Sequence, residues 1–344
     1  MAGIRSLGGR DIQPGTKTVV ALPVTTYLDG NEIRVWVHVV RGRNEGPTLT
    51  LLSSQHGGEF ISVEYIRQAV LEADPETMSG TLLAIPVANP PAFAAGTRNV
   101  EGESDSPDLN RAYPGRHTWL VEQLAHVIAE EVFAVTDALI DYHMGGLADA
   151  FASVGYGDDY SDPEVVAKSG AMAVAFGYES VNVGKIVSHF PGPNSAVGYA
   201  GEILKVPSMV CEVGGTGFGR AYEQEWIDTN VRGIRNVMKH MGIIPGEPEV
   251  PERYLRWRKS VRANPRVGGY LRSCKDAEDL LTEVAAGELL GTMVSPYTFE
   301  EIEELRAPVH GLLSYVARSQ PLIPGMWAYG LVDLDDPETK WIAR

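Results

Sequence analysis

The stretch Leu49-Thr50-Leu51-Leu52-Ser53-Ser54-Gln55-His56-Gly57-Gly58-Glu59 joins an apolar run to a histidine and a carboxylate three residues apart. The run is typical of a short buried strand, and the two glycines mark the point where the chain turns. Imidazole and carboxylate are both good Zn²⁺ ligands, and a catalytic zinc usually takes three protein ligands plus a water. The stretch therefore predicts two of these ligands, although an H-x-x-E match alone often arises by chance.

The sequence around this stretch alternates between strand and helix patterns. Two β-rich runs, residues 18–27 and 32–40, flank the turn Asp29-Gly30-Asn31 and predict a hairpin. Apolar residues at helical spacing predict a helix over residues 62–72, with Ser62 as its N-cap. Further strands are predicted over residues 81–87, 138–143 and 208–212, and further helices over residues 119–135, 163–176 and 223–241. This alternation predicts an α/β domain with a mostly parallel twisted sheet flanked by helices.

The C-terminal quarter has a different pattern. Residues 245–251, rich in Pro and Glu, have the composition of a linker, and short strand patterns punctuated by glycine follow them. We therefore expect two domains: residues 1–245 form the catalytic α/β domain, and residues 252–344 form a small all-β, barrel-like domain. Its turn Ala307-Pro308-Val309-His310-Gly311 resembles that of the biotinyl/lipoyl-like barrel, but His310 stands there and no carrier lysine does, so a packing or lid role is favoured.

Composition excludes several classes of protein. The chain has 344 residues, 44% of them hydrophobic, and a net charge of −16, which argues against nucleic acid as a partner because phosphate backbones require clustered Lys and Arg. No apolar window is long enough to span a membrane, and residues 1–6 lead into polar sequence, so we expect a cytoplasmic protein without a membrane partner. Two cysteines are too few for a disulfide framework. The composition is compatible with a homo-oligomer.

The third ligand and a base are sought at the ends of other strands, because ligand sites in open α/β sheets lie at the carboxyl ends of strands. His143 ends the predicted strand 138–143 and is the candidate third ligand, and Asp141, on the same side of that strand, could orient its ring. Glu212 ends the strand 208–212 and is the candidate general base. The alternative for each is an ordinary polar residue at a strand end.

A loop motif supplies candidate substrate ligands. Asp108-Leu109-Asn110-Arg111 presents an arginine, which can pair with a carboxylate through two parallel hydrogen bonds, beside a neutral amide donor. Arg98 is a second cation earlier on the same loop. The functional hypothesis is a clamp for a substrate carboxylate together with an oxyanion stabiliser. The alternative is a loop held together by an ion pair between Asp108 and an arginine.

Taken together, these motifs resemble the succinylglutamate desuccinylase/aspartoacylase family, relatives of the zinc carboxypeptidases. The resemblance rests on the order and spacing of His56-Gly57-Gly58-Glu59, Asn89-Pro90, Gly96-Thr97-Arg98, Asp108-Leu109-Asn110-Arg111, Asp141-Tyr142-His143 and Glu212 with Gly214-Gly215. It covers roughly residues 50–220, and the C-terminal β region is similar to the second domain of the family.

The resemblance implies a zinc-dependent hydrolase that cleaves the amide bond of a small N-acyl amino acid. It implies one Zn²⁺ per chain, bound by His56, Glu59 and His143, with Glu212 as the base that activates the water. Arg98 would polarise the scissile carbonyl, and Asn110 with Arg111 would hold the α-carboxylate.

One departure bears on the substrate. In the aspartoacylase pattern, a further arginine before the base binds an additional substrate carboxylate. Residues 117–219 of this chain contain no arginine. A second acidic group on the substrate is therefore disfavoured, and a neutral or cationic amide is expected, with Asp149, Asp158 or Asp159 available to an amine. A branch that deacetylates N-acetyl-diaminobutyrate would suit this pattern. The alternatives are a zinc carboxypeptidase acting on short peptides and a non-catalytic binding protein on the same scaffold.

Overall fold

The computed structural model describes residues 4–100, 102 and 108–344. The strands up to the end of the long C-terminal helix are β1 (Ser6–Leu7), β2 (Arg10–Asp11), β3 (Thr16–Thr26), β4 (Glu32–Arg41), β5 (Asn44–Leu52), β6 (Ser79–Ile85), β7 (Ala138–His143), β8 (Asp149–Gly157), β9 (Ser180–Gly184) and β10 (Ser208–Gly215). The later strands are β11 (Arg253–Trp257), β12 (Ser260–Ala263), β13 (Gly269–Ser273), β14 (Glu283–Val284), β15 (Leu289–Val294), β16 (Glu301–Arg306), β17 (Gly311–Ala317), β18 (Pro321–Leu322), β19 (Tyr329–Asp333) and β20 (Lys340–Ala343).

The helices are α1 (Ser62–Glu72), α2 (Pro90–Ala95), α3 (Leu120–Val127), α4 (Pro163–Phe176), α5 (Ala196–Gly198) and α6 (Arg220–His240). Short 3-10 turns cover Leu109–Arg111, Phe133–Val135 and Ala277–Asp279, and π-helical turns cover Ile128–Val132 and Tyr199–Ile203.

Most predicted elements are present, with differences at their ends. The hairpin β3–β4 is antiparallel, and α4 has its predicted limits. The helix expected over residues 119–135 changes to π and then 3-10 geometry after Val127. The prediction of Ser62 as N-cap is wrong: Ile61 precedes the helix, and the Ser62 hydroxyl instead donates to the Glu59 carbonyl at 3.0 Å. Ser62 thus ties the start of α1 to the H-x-x-E loop.

The main sheet is parallel at its centre and antiparallel towards both edges. Its principal order is β12-β19-β17-β8-β10-β7-β5-β6-β4-β3. The four adjacent strands β10, β7, β5 and β6 are parallel, whereas β8 pairs antiparallel with β10, and β4 pairs antiparallel with β6. The α/β fold class is confirmed. The parallel centre brings the carboxyl ends of β5, β7 and β10 to one edge.

Helices cover both faces of this centre. Buried side chains of α1, α4 and α6 form one apolar core with the sheet, and side chains of α2, α3 and α5 form a second core on the other face. None of the described helices is long and apolar enough to cross a membrane.

The C-terminal region is antiparallel β, as expected. β13, β15, β16 and β18 form a separate four-stranded sheet in the order β16-β15-β13-β18. Other C-terminal strands join the main sheet, because β17 pairs with β8 and β11 pairs with β9. The division into domains at residues 245 and 252 stays a prediction. The shared sheet brings C-terminal side chains close to the strands that carry the candidate site.

Candidate metal centre and active site

The three predicted metal ligands lie together. His56 follows the end of β5, and His143 is the last residue of the adjacent parallel strand β7. Glu59 Oε1 lies 2.7 Å from His56 Nδ1, Glu59 Oε2 lies 3.1 Å from His143 Nδ1, and the two Nδ1 atoms are 3.2 Å apart. Both rings therefore present Nδ1 to one point that the carboxylate also faces.

This geometry fits a zinc ion. Two tetrahedral ligands about 2.0–2.1 Å from zinc are roughly 3.3 Å apart, close to the observed separations. All three side chains are buried. Burial alone would raise the pKa of Glu59, but the neighbouring imidazoles of His56 and His143 outweigh it and hold that pKa at about 2. Glu59 is therefore a carboxylate at neutral pH, the form that binds a metal.

Each imidazole also has a carboxylate behind it. His143 Nε2 lies 3.2 Å from Asp141 Oδ2, the contact expected from the sequence, and Gln55 Nε2 donates to Asp141 Oδ1 at 2.8 Å. His56 Nε2 lies 2.9 Å from Asp108 Oδ1. Carboxylates in these positions fix the ring tautomer so that the unprotonated Nδ1 faces the point where a metal ion would lie.

The role of Asp108 was missed by sequence reasoning, which considered this residue only as an ion-pair partner. That ion pair exists, because Arg98 Nη2 donates to Asp108 Oδ2 at 2.7 Å. The other oxygen, besides contacting His56, accepts from the Asn110 backbone N–H at 2.9 Å and caps the 3-10 turn. A chemical argument could have revealed this role. His143 has a carboxylate two residues away in sequence, so a carboxylate that contacts the His56 ring has to come from another part of the chain.

Glu212 lies on β10, opposite His143 in the parallel register between β10 and β7. Its neighbour Cys211 is buried against Asn230 of α6, so alternation along the strand directs Glu212 to the opposite face. Within the described part of the chain, the Glu212 carboxylate forms no hydrogen bond or ion pair. Burial raises the pKa of Glu212, partly opposed by the His143 imidazole.

The three loop residues proposed for substrate binding lie one contact behind the ligands. Arg98 reaches His56 through Asp108, and its side chain is 55% exposed. Asn110 Nδ2 lies 2.9 Å from His143 Nε2, and Asn110 Oδ1 accepts from the Ala196 N–H at 2.9 Å. Arg111 is half-buried, with its guanidinium carbon 4.4 Å from the centre of the Phe190 ring. The structure places these residues beside the candidate centre.

The two glycines of the motif differ in what they do. A Cβ on Gly57 would lie 2.0 Å from backbone atoms of Ala92 in α2, whereas a Cβ on Gly58 would meet only the Gly96 carbonyl, at 3.4 Å. The residue with positive φ at the strand end is Ser54, at 51°. Gly57 is therefore required for close approach of two backbones rather than for a turn.

All three acidic residues expected to be available to a substrate amine have structural partners. Asp158 forms ion pairs with Lys185 and Arg258, and Asp159 accepts hydrogen bonds from the N–H groups of residues 187 and 188. Asp149 accepts from the Tyr315 hydroxyl at 2.7 Å. Only Asp149 stands beside the glycine loops of the candidate centre, since a Cβ on Gly146 would lie 3.8 Å from its Oδ1.

The whole fold matches solved structures. A succinylglutamate desuccinylase/aspartoacylase from Rhodobacter sphaeroides superposes with a TM-score of 0.78, covering 95% of this chain and 98% of that chain at 23% identity. The product-bound ectoine utilization protein EutE (DoeB) from Ruegeria pomeroyi gives a TM-score of 0.77, covering 93% and 97% at 24% identity. At these identities the likeness shows the shared architecture.

Sequence comparison is more specific. Residues 45–241 match the family model of the succinylglutamate desuccinylase/aspartoacylase catalytic domain. The N-alpha-acetyl-L-2,4-diaminobutyric acid deacetylase of Halomonas elongata is 27% identical over 221 residues, and the match spans 64% of this chain and 62% of the curated relative. The chain belongs to the succinylglutamate desuccinylase/aspartoacylase family of amidohydrolases.

Proposed function

We propose that this protein is a zinc-dependent hydrolase that cleaves the amide bond of a small N-acyl amino acid. The observation that carries the proposal is the convergence of His56 Nδ1, His143 Nδ1 and the Glu59 carboxylate beside Glu212, a carboxylate without a hydrogen-bond or ion-pair partner in the described residues. One zinc ion per chain is proposed at the three converging side chains.

The chemistry divides between the metal and the base. A bound zinc supplies Lewis acidity, which polarises a carbonyl and lowers the pKa of a water. Glu212 accepts the proton of the attacking water and then donates it to the leaving nitrogen, so the products are a carboxylic acid and a free amine. Its raised pKa suits both halves of this transfer, because the carboxyl is a stronger base than an exposed glutamate.

Substrate binding is assigned to the loop residues. Arg111 and Asn110 hold the α-carboxylate, and Arg98 stabilises the negative charge that develops on the carbonyl oxygen. When His143 Nε2–H donates to Asp141, His143 Nε2 cannot also accept a hydrogen bond from the Asn110 amide, because both groups are then donors. The Asn110 amide N–H is then free to turn to a substrate oxygen.

Metal analysis tests the cofactor. We expect one zinc per chain in the purified protein and loss of activity on treatment with dipicolinate, restored by added zinc. Full activity of metal-free protein would contradict the proposal.

A substrate panel tests the reaction. N-acetylated amino acids, including N-acetyl-2,4-diaminobutyrate, are compared with short unblocked peptides, and the free amine released is measured. Turnover of the N-acetyl amino acids supports the proposal. Turnover of the peptides alone supports the carboxypeptidase alternative.

Glu212→Gln separates a catalyst from a binding protein. Removing a general base costs typically 10²- to 10⁴-fold in rate, so we expect kcat to fall by that order while zinc content is unchanged. A change at Asn230, which lies beneath the same strand, is not a suitable control, because Asn230 is buried and Asn230→Asp would place a charge there. The exposed change Glu225→Gln on α6 is the matched control, and it should leave kcat unaltered.

A further inference from the structure

Gln55 is a buried amide that directly precedes the first proposed ligand, His56, and it lies outside the motifs that carry the family resemblance. The residue is 0% exposed, and its Nε2 donates to Asp141 Oδ1 at 2.8 Å. Gln55 Oε1 is buried without a hydrogen-bond partner among residues 4–100, 102 and 108–344. The side chain therefore makes its hydrogen bond through the amide N–H groups alone.

The orientation of the Gln55 amide follows from its neighbour. Asp141 is fully buried, and a carboxylate accepts hydrogen bonds but donates none. Gln55 Oε1 turned towards Asp141 would bring two acceptors together, so the NH₂ group has to face the carboxylate. Gln55 Nε2 also lies 3.3 Å from His143 Nε2, but two N–H groups form no bond with each other when His143 donates to Asp141. The contact with Asp141 is thus the one that Gln55 makes when His143 Nδ1 is unprotonated.

The Asp141 carboxylate depends on two donors. Its Oδ2 faces His143 Nε2 at 3.2 Å, and its Oδ1 faces Gln55 Nε2 at 2.8 Å. Within the described part of the chain, no further hydrogen bond or ion pair engages this carboxylate. Loss of the Gln55 amide would leave a buried carboxylate oxygen unpaired, which costs free energy, and rotation of the carboxylate would then misalign Oδ2 with the imidazole.

The backbone that carries Gln55 is fixed by the segment after β6. The Ala88 N–H donates to the Ser53 carbonyl at 2.9 Å, and the Asn89 N–H donates to the Ser54 carbonyl at 3.2 Å. The Asn89 side chain adds a third contact, because its Nδ2 donates to the Gln55 carbonyl at 3.3 Å. The Gln55 amide thus reaches Asp141 of β7 from a backbone that is held in place.

We propose that Gln55 is a positioning residue for the metal centre: it fixes the Asp141 carboxylate, which orients the His143 ring towards the zinc site. This rests on the zinc site proposed above. Zinc affinity then depends on a neutral amide that is not a ligand and that acts on the centre only through Asp141.

The zinc affinity of full-length Gln55→Met tests the proposal. Methionine is flexible and of similar length, but it has no N–H donor. Competition with a chromophoric chelator should show zinc binding weakened by ~3-fold to 10-fold, less than the roughly 10- to 100-fold typical when a group in direct contact with a metal ligand is changed. The matched control is Gln68→Met on α1, because Gln68 Nε2 also donates to a carboxylate at 2.8 Å, that of Glu64. Gln68→Met should leave the zinc Kd unchanged.

A double-mutant cycle with Asp141→Asn distinguishes positioning from a general loss of stability. If Gln55 acts through the Asp141 carboxylate, Gln55→Met should weaken zinc binding by less than about twofold in the Asp141→Asn background. An equal loss in both backgrounds overturns the proposal, because Gln55 would then act by another route.

NMR of zinc-loaded protein with ¹⁵N-labelled histidine gives a second readout. The proton signal of His143 Nε2–H should move upfield in Gln55→Met, because its hydrogen bond to Asp141 weakens. An unchanged signal in a variant with weaker zinc binding overturns the proposal.

Circular dichroism and urea unfolding show whether each variant folds. If Gln55→Met does not fold, Gln55→Glu takes its place; it keeps the shape of the side chain and sets an acceptor against Asp141, so a larger loss of zinc binding is expected. Zinc binding weakened as expected, in a protein that cleaves no amide, supports the role of Gln55, and only the proposed hydrolase function fails. An equal zinc Kd in wild type and Gln55→Met overturns the role of Gln55 and leaves the proposed function standing. A wild type that binds no zinc overturns both.

Discussion

Replacing Asp108 by asparagine should weaken zinc binding without removing any proposed ligand. Asp108 Oδ1 lies 2.9 Å from His56 Nε2, and the side chain is only 16% exposed, so solvent screens this contact poorly. Asparagine is also a good N-cap residue, so the 3-10 turn that begins at Leu109 should survive. The change therefore removes mainly the negative charge behind the ring.

The expected size follows from the contact. A hydrogen bond to a charged group contributes about 1.5–3 kcal/mol and a neutral one about 0.5–1.5 kcal/mol, so the loss is ~1–2 kcal/mol. This corresponds to roughly 5- to 30-fold weaker zinc binding, which overlaps the lower part of the roughly 10- to 100-fold range typical of such outer carboxylates.

Competition with a chromophoric chelator measures the zinc Kd of the variant. The control is Asp137→Asn, because the Asp137 carboxylate also accepts a backbone N–H, from Thr48 at 2.8 Å, but is not in contact with either histidine. Asp137→Asn should leave the zinc Kd unchanged. An unchanged Kd in Asp108→Asn with the fold intact would refute the reasoning that this carboxylate orients His56.

Three further outcomes are expected. Gly57→Ala should lower the free energy of unfolding by about 2–3 kcal/mol, since a methyl group cannot fit 2.0 Å from the Ala92 backbone. The control Gly58→Ala should change the free energy of unfolding little. Urea unfolding measures both, and similar losses in the two variants would contradict the steric argument. Asp158→Asn should lower the free energy of unfolding by ~1 kcal/mol at pH 7, because it breaks a partly screened ion pair. Burial raises the pKa of Asp158, but the pairs with Arg258 and Lys185 outweigh it and hold the pKa below 3.8. The difference in unfolding free energy between wild type and variant should therefore shrink as the pH falls below that value. Removal of zinc should lower the midpoint of thermal unfolding, and added zinc at 100 times Kd should restore about 2.7 kcal/mol; an unchanged midpoint would count against a zinc site in the folded protein.

The ligands of the candidate centre were predictable because their signal is local. His56 and Glu59 follow an apolar strand, and His143 ends another. Strand order was not needed to nominate them, since the carboxyl ends of neighbouring parallel strands meet at one edge. Asp141 was predictable for the same reason, because it lies two residues from His143 on one side of a strand.

The contact of Asp108 and the pairing of the C-terminal strands could not be predicted in the same way. The contact of Asp108 with His56 spans 52 positions of sequence, and no local pattern in either segment predicts it. The C-terminal strands join the central sheet because β17 pairs with β8, a contact between segments more than 150 positions apart in sequence. Antiparallel pairing between distant segments has no periodic signature in either segment alone.

The sequence by itself thus determined the fold class, the family resemblance, the three converging ligands and the candidate base, because each depends on a short pattern or on strand ends that any parallel sheet brings together. Only the tertiary structure decided which carboxylate supports His56, that Gly57 serves a close backbone approach, and that C-terminal strands join the main sheet, because those contacts join distant segments whose pairing is fixed by packing across the whole sheet.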